Sequence, residues 1–293
     1  KDVHESKLIR FPEQLRKNEG IELYTFLNLP TKTGEIISLI ADKAYKEDAL
    51  ADPMKAYLTE ETFQLLAGEG TLDVEPCHDI TLGCDPELVI VHRETGAILD
   101  AHKIFRKWNQ VGSDRLLLEL RPAPSVAEEA VVNNLFLHLV SARRTLNEGM
   151  MISGRRFNGM DYVILARSHY RQPGFGPQFG QNIGFHIHFG LPQKIMAYRQ
   201  PYILRNIASL LDYYVAVPAI LIEGDADNFR RSQVHVAYGK PGDWRRGAGN
   251  ITMEYRVPGG ALMKSPETAR GILSIAKLTM KDILYRLSLL SNE

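Results

Sequence analysis

Four short segments of the chain carry charged or imidazole side chains at alternate positions. Asp85 and Glu87 are two apart in GCDPELVIV, Glu119 and Arg121 in DRLLLELRP, His186 and His188 in GFHIHFG, and Glu254 and Arg256 in ITMEYRVP. Side chains alternate across a strand, so residues i and i+2 share a face. In the last three segments the other face is apolar: Leu116, Leu118 and Leu120; Phe185, Ile187 and Phe189; Met253, Tyr255 and Val257. Each predicts a strand with an apolar back and a front of carboxylate, imidazole or guanidinium. Strands laid side by side would gather these fronts on one surface, where unpaired like charges repel. A divalent cation held by carboxylates and imidazole, and a polyphosphate gripped by arginine forks, would resolve that conflict. Taken singly, each segment has a plainer reading: a solvated strand start, an ion pair on a wet face, two structural histidines, a surface pair. Four such fronts in one chain are the signal.

The elements that must position these residues are legible in outline. LVIVHRETGAILDAH reads as two strands around a turn at Arg93–Gly96, and DRLLLELRP as a strand halted by Pro122. Ser125, with Glu128 three residues on, predicts a capping box for a long helix. Its apolar stripe runs through Val132, Leu135, Phe136, Leu139 and Val140, and Gly149 closes it. The stretch HYRQPGFGPQFGQN is too rich in Gly, Pro and Gln to be regular. GFHIHFGLP is a strand, YILRNIASLLDYYVAV a helix limited by Pro218, and NITMEYRVP a further strand. Ser265, Pro266 and Glu267 open a C-terminal helix with cap, N1 proline and first-turn acid in place. Its stripe includes Ile272, Ile275, Ile283, Leu284 and Leu287. Strands and helices mix without strict alternation, which predicts an α+β fold: a curved, mostly antiparallel sheet with helices on its back. Residues 1–75 read as a separate accessory segment. They hold a helical stripe over 36–45 and a second helix that Thr59 caps and Gly68 stops, with no concentrated chemistry. The domain division expected is 1–75 and 76–293.

Composition narrows the partners. Lys plus Arg number 35 and Asp plus Glu 35, so the formal charge is zero. That argues against a general polyanion binder, and nucleic acid is not expected as a partner. Charge is locally uneven, because Arg230, Arg231, Arg245, Arg246 and Arg256 crowd together. Hydrophobic residues at 44% and charged residues at 24% are ordinary for a soluble globular protein. Cys77 and Cys84 make neither a disulfide framework nor a structural zinc motif, and fit free thiols in a reducing compartment. The first twenty residues lack the apolar centre of a secretory signal, and no run of eighteen apolar residues predicts a membrane helix. A cytoplasmic protein with no membrane partner is expected. No P-loop pattern occurs, which argues against a Walker-type nucleotide site.

GCDPEL, LLELRP, GFHIH and MEYRVP follow one another in the order found in ligases of the glutamine-synthetase-like superfamily. The Gly-x-Asp-Pro-Glu opening, the E-x-R-P segment and the YGKPGDWR element before EYRVP make residues 80–290 most similar to the phage COOH–NH2 ligase (type 2) branch. The resemblance implies a glutamine-synthetase-like catalytic domain using ATP and Mg2+, with Mn2+ as substitute. On the matching positions, it implies that Asp85, Glu87, Glu119, His186 and Glu254 hold metal. His188 would face substrate and Arg256 would steady the transferred phosphate. Either Arg245 or Arg246 would be a further phosphate-binding arginine, and sequence does not choose between them. Arg230 and Arg231, with Arg256, are the candidates for holding the nucleotide. Asp85 is one methylene shorter than the family's usual Glu, and the middle strand offers one carboxylate where synthetases present more, so the number of metals stays open.

What the resemblance implies for function is an ATP-dependent carbon–nitrogen ligase that joins a carboxylate to an amine through an acyl phosphate. The substrates would be an amino acid, a peptide or a protein tail. If phage-encoded, the protein would work in the host cytoplasm or on the virion, with residues 1–75 docking it to a phage particle or host protein. A homo-oligomer is compatible with this. Two other classes compete. A metal-dependent hydrolase also uses H-x-H, but amidohydrolase barrels place it on the first strand. A ligase-like fold retained as a binding or phage structural protein would keep the same residues without turnover.

Overall fold

A computed structural model describes residues 80–290, apart from 149, 153–154, 176–179, 193–194, 197–201, 233–237 and 248–250. The expected accessory segment, the Gly149 helix stop and the domain division near residue 75 lie outside the described residues. The fold begins with the long strand β1 (Thr81–His92). A hairpin follows, β2 (Val111–Asp114) and β3 (Leu117–Leu120), and then helix α1 (Glu128–Asn147). Short strands come next: β4 (Met150–Ile152), β5 (Arg155–Phe157), β6 (Tyr162–Leu165), β7 (His169–Tyr170) and β8 (Gln181–Asn182). After β9 (Phe185–Gly190) the chain runs through α2 (Tyr202–Leu211), α3 (Val217–Glu223) and α4 (Asp225–Ser232). It ends with β10 (Trp244–Arg246), β11 (Thr252–Tyr255) and α5 (Pro266–Leu290).

The main sheet has seven strands in the order β10-β11-β9-β1-β3-β2, with β6 also paired to β1. Every pairing among the described strands is antiparallel. The fold is therefore α+β with a mostly antiparallel open sheet. Leu82, Leu88, Leu118, Leu120, Phe185, Ile187, Phe189, Met253 and Tyr255 line its back and are buried. They share one core with Leu135 of α1, Leu211 of α2 and Ile272 and Leu284 of α5. The period-two pattern of β9 and β11 is thus satisfied by helices on one side only, which leaves the other side for chemistry. That front is not polar throughout. Val89, Val91 and Leu117 lie on the face of Glu87 and Glu119, where they pack with Ile183 as a smaller apolar cluster.

Several local expectations are corrected by tertiary contacts. DRLLLELRP is not one strand. Arg115 adopts a left-handed backbone at φ 51° and forms, with Leu116, the turn of the β2–β3 hairpin. Leu116 is therefore exposed, not part of the apolar back. The strand expected after the Arg93–Gly96 turn shrinks to a single bridge between Val91 and Ile98. Ser125 does not cap α1. Its backbone exchanges hydrogen bonds with Leu82 at 2.8 and 2.9 Å, which holds it extended against β1. The helix starts after Ala127, and Glu128 instead reaches Lys277 at 2.9 Å and Ser274 at 3.3 Å on α5. Val140, expected in the stripe of α1, is exposed. The ends of the Gly- and Pro-rich loop are regular: His169 pairs with Asn182 and Tyr170 with Gln181.

Pro218 does not end its helix. A π-turn over Asp212–Ala216 precedes α3, and the Val217 N–H bonds to the carbonyl of Asp212. Widening the turn just before the proline accommodates its ring and its missing donor. The resulting run Leu204–Glu223 is long and apolar enough to cross a membrane by composition, but most of it is buried inside the protein as a core helix. The C-terminal helix begins where its cap predicts, with the Thr268 N–H donating to Ser265 Oγ at 3.1 Å.

Candidate active site on the sheet face

Strand register decides which charged side chains meet. On one line across the sheet, Arg245 of β10 faces Glu254 of β11, which faces His188 of β9, which faces Gly83 of β1. Asp85 faces His186 on the next line of the same face, and Glu87 faces Glu119 beyond it.

Asp85 is the centre of the cluster. Its Oδ1 lies 3.1 Å from His186 Nδ1 and its Oδ2 lies 3.2 Å from His188 Nε2. Glu254 Oε1 is 3.5 Å from the same His186 Nδ1. Glu254 also meets two guanidiniums, Arg245 Nε at 2.6 Å and Arg256 Nε at 3.2 Å. Asp85, His188 and Glu254 each offer a ligand atom, and those atoms lie within 4.8 Å of one another. Asp85 Oδ1, Glu254 Oε1 and His186 Nδ1 are buried here without an aligned hydrogen bond. Buried polar atoms are normally satisfied, so two carboxylate oxygens and a ring nitrogen left this way are a donor set that a cation fits. The donor set, carboxylate oxygens with imidazole nitrogen, suits a hard or borderline divalent ion.

The electrostatics follow from burial against pairing. Burial alone would raise the Asp85 carboxyl, but His186 and then His188 outweigh it and hold it well below the usual carboxylate range. Burial would lower the His186 imidazole, yet Asp85, Glu87 and Glu254 around it raise it above its ordinary value. Glu87 is raised, chiefly by burial.

Glu87 stands apart from the open cluster. Its Oε2 accepts the Gly184 N–H at 2.7 Å and the Tyr238 hydroxyl at 2.7 Å. That hydroxyl lies 2.6 Å from His186 Nε2. Glu119 forms an ion pair with Arg121, whose Nη1 donates to the Asn109 carbonyl at 2.9 Å.

The arginines separate clearly. Arg245 lies on the face of Glu254, whereas Arg246 points to the opposite side and donates to the Met196 carbonyl. Of the adjacent pair, Arg245 is the one on the face of the cluster, because neighbouring residues of a strand point to opposite faces. Arg256 joins Glu254 and lies 3.7 Å from Asp243, with its guanidinium 4.6 Å from the Tyr238 ring centroid. Arg231 is a structural anchor. It grips Glu223 bidentately at 2.8 and 2.8 Å and donates to Asn228 and to the carbonyls of Val257 and Gly239. Arg230 is fully buried beside it, donates to the Val257 carbonyl and sits 5.7 Å from the Tyr238 ring. Burial, and then the Arg231 charge, push the Arg230 guanidinium down to about 10.

Tyr238, Asp243 and Thr252 are neighbours of the site that charge patterning does not reveal. Thr252 Oγ1 lies 3.3 Å from His188 Nδ1, and Asp243 accepts the Gly239 N–H at 2.6 Å. Tyr238 and Asp243 belong to YGKPGDWR, so that element of the resemblance was their only signal in the sequence.

An antiparallel sheet backed by helices, with carboxylates, imidazoles and arginines converging on its front, defines the class: a single-faced α+β site built from strands. Residues 163–291 match the family described as phage phiEco32-like COOH.NH2 ligase-type 2. This is the branch that the ordered motifs resemble, and its name is that of a carboxylate–amine ligase. The match includes His186, His188, Arg245, Glu254 and Arg256, while Asp85, Glu87 and Glu119 reach the same surface from outside the matched stretch. No curated protein and no solved structure matches the chain significantly.

Proposed function

We propose that the protein is an ATP- and Mg2+-dependent carboxylate–amine ligase working through an acyl phosphate. The observation that carries this reading is the convergence of Asp85, His188 and Glu254 within 4.8 Å, flanked by Arg245 and Arg256, in a chain matching a ligase family. Asp85, Glu254 and the two imidazoles are the residues that would hold Mg2+, or Mn2+ in its place. Bound there, the ion would supply positive charge to the phosphoryl oxygens.

A carboxylate does not react with an amine until it has a leaving group. In the proposed route a carboxylate oxygen of the acid attacks the γ-phosphorus of ATP, and the bond to ADP breaks. The amine nitrogen then attacks the acyl carbon, inorganic phosphate leaves with the electron pair, and the nitrogen loses a proton. Both steps build negative charge on phosphoryl oxygens. Arg245 and Arg256 flank Glu254 at the edge of the cluster, as donors that would serve such oxygens. Preorganised donors of this kind each account for about 10²–10³ in rate. His188, held by Thr252 on one ring nitrogen, turns the other toward Asp85 and the cluster. The acid and amine are those of an amino acid, a peptide or a protein tail.

The test is a screen of acids and amines with ATP and Mg2+, read as mass shifts equal to loss of water. ADP and phosphate should appear together with the amide. Hydroxylamine should intercept the activated acyl group as a hydroxamate. AMP with pyrophosphate would replace the acyl phosphate by an adenylate. Nucleotide binding without any turnover across the screen would favour a binding or phage structural protein instead.

A further inference from the structure

Tyr238 lies between Glu87 and His186, and the direction of each hydrogen bond there can be fixed in turn. The Gly184 N–H can only donate, and it donates to Glu87 Oε2 at 2.7 Å. An oxygen that accepts a backbone N–H is the poorer place for a carboxyl proton, so Oε2 acts as the acceptor and any proton sits on the other oxygen. The Tyr238 hydroxyl meets the same Oε2 at 2.7 Å and gives it its single proton. What remains toward His186 is a hydroxyl lone pair, 2.6 Å from Nε2, so Nε2 carries the ring hydrogen. In the neutral imidazole the other nitrogen, Nδ1, then has the lone pair. Nδ1 is the atom that lies 3.1 Å from Asp85 Oδ1 and 3.5 Å from Glu254 Oε1, so a lone pair there, facing two carboxylate oxygens, is favourable only with a cation among them.

The surroundings hold this relay in place. A Cβ at Gly184 would come within 2.2 Å of the Tyr238 hydroxyl and 2.3 Å of His186 Nε2, so this close approach depends on glycine. The tyrosine ring packs edge-on against His186 at 5.5 Å between centroids, with the Arg256 guanidinium 4.6 Å from its own centroid. Outer partners of this kind orient a ligating histidine and set its tautomer.

We propose that Tyr238 is a positioning residue: its hydroxyl holds His186 in the Nε2–H form, aims Nδ1 at the cation cluster, and occupies Glu87 as an outer support in place of a direct ligand. This rests on the metal reading of the site given above. It departs from the simple transfer of all five acidic and imidazole residues to the ion, because two donors already engage Oε2 of Glu87.

The experiment uses the full chain and Tyr238→Phe, which keeps the ring and removes the hydroxyl. Two-bond 1H–15N spectra of histidine-labelled protein with saturating Mg2+, at a pH high enough to keep the ring neutral, report each histidine's tautomer; His186→Gln assigns the signal. The parent should show His186 with hydrogen on Nε2, and Tyr238→Phe should show loss of that preference. Mn2+ titration followed by electron paramagnetic resonance should show affinity weakened roughly 10–100-fold in Tyr238→Phe. A side chain needed only for packing would shift the melting temperature and leave both readouts alone. Hydrogen on Nδ1 in the parent overturns the proposal, as does a folded Tyr238→Phe with the parent's tautomer and Mn2+ affinity. If the variant does not fold, the parent's spectrum still decides. A parent that binds no Mn2+ refutes the metal reading itself, which is distinct from equal binding by parent and variant.

Discussion

Glu254→Gln should separate the metal role of the late strand from its structural role. Glu254 is buried and touches Arg245, Arg256 and His186 at 2.6, 3.2 and 3.5 Å. The amide keeps the shape and removes the charge. Breaking one side of a fully buried ion pair costs about 3–5 kcal/mol. Arg245 is 56% exposed, so its contact counts near the ~0–1 kcal/mol of a surface pair. Arg256, at 21%, lies between the two regimes. A total of about 2–4 kcal/mol results, or a melting temperature lower by about 4–16 °C at roughly 2–4 °C per kcal/mol. The strand itself should stay folded, because Met253 and Tyr255 behind it are fully buried. The Mg2+ concentration for half-maximal turnover should rise by at least the ~10–100-fold known for loss of an outer partner, with activity partly returning at high Mg2+. Arg256→Lys is the companion. It keeps positive charge and loses the planar fork, so the Mg2+ requirement should stay near the parent's while ATP turnover falls about 10²–10³-fold. Thermal unfolding, Mg2+ titration and ATP turnover on both variants make the comparison. If Glu254→Gln and Arg256→Lys fold and turn over substrate like the parent at the parent's Mg2+ requirement, this sheet face is not the active site.

Three further outcomes are expected. Arg245→Ala should lower ATP turnover by about 10²–10³, whereas Arg246→Ala should act mainly on thermal stability through its contact with the Met196 carbonyl; equal losses of turnover at matched stability would undo the assignment of faces. In metal-free buffer, His186 contributes stability that is full below its ordinary 6.5 and is lost as pH rises through its raised folded value, while Asp85 contributes stability that is lost only as pH falls below its ordinary 3.8 through its depressed one. Melting temperature should therefore decline on the alkaline side above about pH 6.5, and His186→Gln should flatten that limb; an unchanged limb would show that other groups cause it. Leu118→Ala, at a fully buried position where β3 packs into the helix layer, should cost about 2–5 kcal/mol by chemical denaturation, and a loss under 1 kcal/mol would mean that the back of the sheet is not the core described here.

The sequence by itself determined which side chains could share a face. Phe185, Ile187 and Phe189 alternate with His186 and His188, and this local period of two needs no knowledge of the rest of the chain. The start of α5 was also local, since Ser265 supplies its own cap to Thr268. Leu116, Ser125 and Pro218 misled for the opposite reason. Their conformations answer to partners distant in sequence or to the course of neighbouring turns: Leu116 to the hairpin, Ser125 to Leu82, and Pro218 to the π-turn before it. Register is equally non-local. The pairing of Arg245 with Glu254 selects one arginine from an adjacent pair, and the pairing of Asp85 with His186 turns two separate motifs into one cluster. Tyr238 carries no charge pattern, and only the fold brings its hydroxyl to Glu87 and His186, 151 and 52 residues away. Side-chain alternation is a property of one strand, whereas strand order and register are properties of the whole sheet, so tertiary structure alone decided which of the legible residues meet.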